Sequence, residues 1–177
     1  LYAPIAYTLE SGGKRLRPTL ALIAASLYGK EEKALPAALA LEIFHNFTLL
    51  HADVMDQAPI RRGRKTVHAK WDDNTAILSG DQMLIEAYKQ LENIDAQHLP
   101  YVLHLFSKMA TEICEGQQYD MEFEKEETVT IEEYIEMIRL KTSVLLGAAL
   151  EIGAYVADAP EADRQALEVF GTNLGLA

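Results

Sequence analysis

Apolar residues recur at helical spacing along almost the whole chain, and strand-like alternation is scarce. That periodicity predicts an all-α fold of long helices. Pro18 can open a helix through Leu20, Leu22, Ile23 and Leu27 that stops near Gly29, because proline suits a first helical position and glycine the position past the last. A second helix is expected from Pro36 through Leu39, Ile43, Phe47, Leu50 and Val54. Residues 57–71, with Pro59 and Gly63, read as a loop. Further helices are expected from Asp73 to near Asn93, from Leu99 to near Asp120, from Ile131 to near Ala157, and from Pro160 onward. The stretch 122–130 is acidic and reads as a solvated connection, and Thr130-x-x-Glu133 has the form of a capping box. No repeat, low-complexity tract or linker interrupts the pattern, so a single domain over 1–177 is expected.

The net charge of −11 argues against a nucleic-acid partner. No apolar run reaches the length of a membrane span. The lone cysteine, Cys114, excludes an intrachain disulfide, and its place beside Ile113 predicts a buried side chain. No secretory pattern opens the chain, so a reducing cytoplasm is the default expectation. The chain begins without methionine and closes at 171–177 inside a helical pattern with no stop signal, which predicts a longer parent protein.

Within the second helix, His45, Leu49, Ala52 and Asp56 follow steps of four, three and four and share one stripe, with Asp53 beside it. Carboxylates at a helix C-terminus are unfavourable unless a cation offsets them. Most isolated acidic pairs are simply solvated; here Leu49, Leu50, Val54 and Met55 favour a partly buried cleft. Arg61-Arg62-Gly63 follows at once. Carboxylates gather divalent cations and arginines grip phosphate oxygens, so the pair points to a Mg²⁺-diphosphate. Gly12-Gly13-Lys14-Arg15-Leu16-Arg17-Pro18 is a second basic cluster, on a glycine turn ahead of a helix, and also suits a diphosphate. Weaker signals are Asp81 after Ser79-Gly80, Gln117, Gln118 and Asp120 after Gly116, and Lys141-Thr142 inside the apolar run 138–146. His68, His98 and His104 lack metal-ligand spacing and read as structural, and no zinc pattern, P-loop or Ser/His/Asp arrangement is present.

In combination these motifs resemble the trans-isoprenyl diphosphate synthases, or polyprenyl synthetases, and most of all the short-chain farnesyl and geranylgeranyl enzymes. Gly12–Pro18 resembles the family's GGKRxRP motif and His51–Gly63 its first aspartate-rich motif with the trailing RRG; Gly80-Asp81, Gly116-Gln117, Lys141-Thr142 and Phe170–Ala177 match in order. The resemblance implies an isoprenoid-synthase-like bundle around a central cavity, here incomplete at both ends, and a homodimer. It implies an allylic diphosphate held through Mg²⁺ by Asp53 and Asp56 with Arg61 and Lys141, and isopentenyl diphosphate held by Lys14, Arg17, His45 and Arg62. Gln117 and Thr142 would also contact substrate. The reaction would be head-to-tail chain elongation: loss of diphosphate from the allylic carbon, attack by the isopentenyl double bond, and loss of a proton.

Two departures stand out. The family's first aspartate falls at Ala52, which cannot ligate metal, and a further aspartate-rich motif would follow Ala177, where the chain stops. Weak Mg²⁺ binding and impaired turnover are therefore expected of this chain. Phe47, about one turn before the aspartates, could floor the cavity and favour a short product, although Leu84, Ile85 and Tyr88 could equally set its depth. The competing readings are a class I terpene cyclase, against which the Gly12–Pro18 cluster argues, and a non-catalytic subunit of a prenyl synthase heteromer, which Ala52 favours.

Overall fold

The computed structural model describes residues 1–177. About three quarters of the chain is helical: α1 (Tyr2–Leu9), α2 (Leu16–Ser26), α3 (Leu35–Met55), α4 (Val67–Lys70), α5 (Asp73–Leu91), α6 (Leu99–Phe123), α7 (Ile131–Ile138), α8 (Val144–Val156) and α9 (Glu161–Leu176). A 3₁₀ turn (Glu31–Ala34) precedes α3. The loop expected at 57–71 holds a small antiparallel hairpin, β1 (Ile60–Arg61) with β2 (Arg64–Lys65), followed by α4. The helix expected from Ile131 to Ala157 is broken by a π-helical turn, Arg139–Ser143. Such turns insert one extra residue into a helix and are frequent at functional sites.

The chain divides into two compact units, Leu1–Leu16 with Leu39–Asn93, and Arg17–Ala38 with Ile94–Ala177. The first unit closes over Leu50, Val67, Ala76 and Met83, against which Ile5, Ile43, Phe47 and Val54 pack. Helix α5 starts where Asp72 caps it, accepting from Thr75 N at 2.8 Å, and this backbone bond holds the Asp72 carboxyl below its ordinary range.

The second unit is organised by α8, which is buried except along the edge of half-buried Glu151 and Tyr155, as a helix apolar nearly all round must be. Its small residues admit neighbouring backbones: a methyl at Gly153 would meet the Ala21 carbonyl of α2 at less than 3.0 Å. Thr130 and Glu133 form the expected capping box at the start of α7, each side chain bonded to the other's backbone N–H. Asp158, in the left-handed region at φ 62, ends the α8–α9 turn. Lys30 and His98 both bond its carboxylate, at 2.7 and 2.8 Å, and hold its pKa down at about 2. His98 is thus structural, as expected. Cys114 is not buried: it is exposed on α6, one position round the helix from buried Ile113, because the inward stripe runs through Met109, Ile113 and Gly116.

Candidate functional site

Helix α3 carries Ala52 and Asp53 in its last turn, and Asp56 follows directly on its final residue, Met55. Asp53 is 5% exposed, and its Oδ1 accepts a hydrogen bond from Arg61 Nε at 2.7 Å. Burial pushes the Asp53 carboxyl above the ordinary carboxylate value, against the opposing pull of the Arg61 hydrogen bond and charge. Asp56 is exposed.

Arg61 ends β1, and Arg62-Gly63 make the hairpin turn with φ 52 and 74. Positive φ at both central residues is the type I′ requirement, normally met by Asn-Gly or Asp-Gly. A non-glycine residue there is uncommon, and conformations of this kind cluster at functional sites. The Arg62 guanidinium donates to the Gly12 carbonyl and lies against Gly13, where a methyl would meet Cζ and both terminal nitrogens at less than 3.0 Å. Only glycine permits that approach, and Gly13 sits at φ 121. Arg15, also in the left-handed region, bonds Glu42 of α3 and the Leu9 carbonyl, while Asn46 Nδ2 donates to Glu42 Oε1 at 2.9 Å. The Gly12–Arg15 turn is thereby fastened to α3 on one side and to the hairpin on the other. Lys14 stands exposed between the two attachments.

A cavity of about 30 Å³ lies among Thr8, Asn46, Asp53, Arg61, Arg62 and Arg64. That is room for a water or two, and Asn46 Oδ1, buried without a protein partner, offers an acceptor. His45 is half-buried further back on α3, where its carbonyl accepts from Thr48 Oγ1 at 2.8 Å. Phe47 packs edge-on to His51, ring centroids 4.8 Å apart. Gly80 leaves room for the His51 ring, as close packing of α3 and α5 requires, and Asp81 is exposed with Oδ1 3.8 Å from His51 Nε2.

In the second unit the π turn carries Lys141, whose Nζ bonds Asp120 of α6; Thr142 beside it is half-buried. Gln117, one turn before Asp120, holds a buried Nε2 without a protein partner. Gly116 lets the two segments meet, since a methyl there would lie less than 3.0 Å from the Lys141 backbone N and Cα. Arg17 is half-buried in the first turn of α2, in this same unit.

The first unit thus joins Lys14, Arg61 and Arg62 around one turn, and the second joins Gln117, Asp120 and Lys141. No three His, Cys, Asp or Glu side chains converge as a protein-only metal cage. Magnesium ordinarily takes one or two carboxylates and completes its shell with water and substrate phosphate, a mode that exposed Asp56 fits and that Asp53, buried and paired, fits less well. Sequence reasoning missed Arg64, Lys65 and Lys70, grouped around Tyr7; the signal was that residues 57–71 hold five basic side chains and no acidic one.

The site is thus a glycine turn held by Arg62, beside a carboxylate-bearing helix end, in an all-α chain. The Polyprenyl synthetase model matches residues 1–177, and the chain belongs to that family. It is 43% identical to a geranylgeranyl diphosphate synthase of Methanosarcina mazei, over 99% of this chain and 55% of the relative. A (2E,6E)-farnesyl diphosphate synthase of Mycobacterium bovis is 40% identical over 93% of this chain and 46% of the relative. Among solved structures, a geranylgeranyl pyrophosphate synthase superposes with a TM-score of 0.96 at 51% identity, covering 99% of this chain and 54% of that one. A Caulobacter crescentus polyprenyl synthase, solved with calcium and isoprenyl diphosphate, gives 0.91 at 32% identity, covering 98% and 52%. The chain spans about half the length of the curated relatives it matches. No helix is long and apolar enough to cross a membrane.

Proposed function

We propose that this chain carries the diphosphate-binding part of a trans-prenyltransferase that joins an allylic diphosphate to isopentenyl diphosphate. The observation that carries the reading is Arg62 seated on the Gly12–Gly13 turn beside Lys14, which brings two basic motifs some fifty residues apart in sequence to one place. Relatives named as geranylgeranyl and farnesyl synthases support it. Lys14, His45 and Arg62 of the first unit are assigned to isopentenyl diphosphate, and Arg17 of the second unit is assigned to substrate diphosphate. Within the first unit Arg61 is assigned to the allylic diphosphate, with Asp56 the principal carboxylate for Mg²⁺ and Asp53 its neighbour; within the second unit Lys141, Gln117 and Thr142 are assigned to substrate. Bound there, Mg²⁺ would supply charge to a departing diphosphate. The arginines and lysines supply fixed positive charge to the same leaving group, placed before reaction and worth most where water is excluded. The assembly is proposed to be a cytoplasmic homodimer.

The test is titration with isopentenyl diphosphate. Charge-assisted hydrogen bonds contribute about 1.5–3 kcal/mol, so Arg62→Ala should weaken binding at least about tenfold. Unchanged affinity sinks the assignment. Ala52→Asp should make the binding of an allylic diphosphate at least about tenfold more responsive to Mg²⁺, by adding a second carboxylate one helical turn from Asp56. An identical Mg²⁺ response in both proteins overturns the ligand argument for position 52.

A further inference from the structure

Cations in this acid-rich chain are commonly held by carboxylates: Arg15 by Glu42, Lys30 by Asp158, Arg61 by Asp53, Lys141 by Asp120. Arg164 lies instead over the Tyr101 and Tyr155 rings, and a group of cations in the first unit is likewise held on an aromatic ring. Arg64 Cζ lies 4.1 Å, and Lys70 Nζ 3.8 Å, from the centroid of the Tyr7 ring. Lys70 Nζ is also 4.6 Å from the Trp71 ring, which meets Tyr7 edge-on at 5.3 Å. The Tyr7 hydroxyl donates to the Lys65 backbone carbonyl at 2.9 Å, so Tyr7 holds the Arg64 and Lys70 cations and the strand from which Lys65 projects.

The physical difference matters. A carboxylate positions a cation and cancels its charge, whereas an aromatic face positions it and leaves almost all of the charge to act on a third body. The register sharpens the point. Arg61 stands directly opposite Arg64 across the hairpin, and like charges in that relation repel. Asp53 answers Arg61, and no carboxylate answers Arg64. The stretch 57–71 is the most positive part of a protein with net charge −11. Arg64 also lines the small cavity it shares with Arg61 and Arg62.

We infer that Arg64, Lys65 and Lys70, arrayed on Tyr7, form a capture site for diphosphate anions ahead of the Arg61–Arg62 turn. The inference rests on the proposed function for the destination of the anion, though not for the capture itself. A protein whose overall charge repels its substrate needs a local positive field to draw it in. Such fields raise association rates by one to three orders of magnitude and fade as salt shortens the screening length.

Trp71 is the single tryptophan and touches Lys70, so its emission reports occupancy of this site. The probe is inorganic pyrophosphate, followed by stopped-flow fluorescence at roughly 10 mM and roughly 1 M salt, where the Debye length falls from about 30 Å to about 3 Å. The expected result is a saturable Trp71 response whose association rate drops at least about tenfold in high salt. Arg64→Gln/Lys65→Gln/Lys70→Gln should lose the response. Lys65→Gln alone, at an exposed side chain, should slow association and flatten its salt dependence even if the triple variant does not fold. Tyr7→Phe keeps the ring and should keep the response, whereas Tyr7→Leu should lose it. A silent Trp71, or a Lys65→Gln variant with the salt dependence of the parent, overturns the inference. Arg62→Ala separates the two proposals: it should abolish tight binding by calorimetry while sparing the Trp71 response. If it spares both, the assignment of Arg62 fails and the capture site stands.

Discussion

Arg61→Ala is expected to destabilise the protein by about 3 kcal/mol at neutral pH, and by progressively less as the pH falls toward 4. Asp53 is the reason. Its side chain is 8% exposed, and Arg61 Nε is the cationic donor to it. Removing one member of a buried pair leaves the other charge in a medium that solvates it poorly. The sign of the pH dependence follows from burial. Burial already raises the Asp53 pKa in the folded state, and Arg61 opposes that rise. Without Arg61 the folded pKa climbs further above the unfolded value. A group with a raised folded pKa leaves stability intact below its unfolded pKa and costs stability as pH rises through the folded one. The deficit between parent and variant therefore opens above the ordinary carboxylate range and closes below it. Urea midpoints at an unchanged slope, measured across that window, give the result. Arg61→Ala/Asp53→Asn, which removes both charges, should recover much of the loss, because the deficit comes from an unpaired carboxylate. A deficit that is flat with pH, or that persists in the double variant, would point instead to lost packing of the arginine stem.

The same pair shows where sequence reading stops. The helix carrying Asp53 was legible from the 3.6-residue spacing of Leu39, Ile43, Phe47 and Leu50, and the structure places it at Leu35–Met55. The Thr130–Glu133 capping box was legible because its two hydrogen bonds are local. The glycines at 12 and 13 announced a turn, and both take positive φ. What depends on contact between distant segments left no local mark. Nothing in the spacing of Asp53 and Arg61 says that one will neutralise the other. The hairpin at 60–65 was hidden because its strands have two residues each and no apolar alternation, and because arginine takes the left-handed position that asparagine or aspartate usually advertises. Cys114 was misplaced because one step along a helix is a rotation of about 100°, enough to carry a side chain from core to solvent.

The π turn at Arg139–Ser143 was equally invisible, since the apolar run 138–146 continues helical periodicity straight through it, and it sets the second large expected effect. Gly116→Ala is expected to destabilise the second unit by about 2 kcal/mol and to displace Lys141. In an ordinary helix interior the same change would stabilise by up to about 1 kcal/mol. Here the added methyl would lie less than 3.0 Å from the Lys141 N and Cα and the Leu140 carbonyl carbon. All three are backbone atoms and cannot rotate aside, so α6 must move from the π turn or the turn must rewind. Rewinding to a regular helix removes one residue's worth of bulge and rotates Lys141 away from Asp120, with which its ammonium pairs. Close packing transmits such a shift instead of absorbing it. Gly29 supplies the control: it too is a glycine, at φ 67, but a methyl there meets nothing within 4 Å, so Gly29→Ala should cost only the roughly 1–2 kcal/mol of the left-handed backbone and leave Lys141 in place. Thermal melts rank the two variants, and an Asp120→Asn background tests the geometry: if Gly116→Ala has already broken the Lys141–Asp120 pair, adding Asp120→Asn should change stability little further, whereas in the parent it removes an intact ion pair. Full additivity of the two substitutions would mean that Lys141 had not moved.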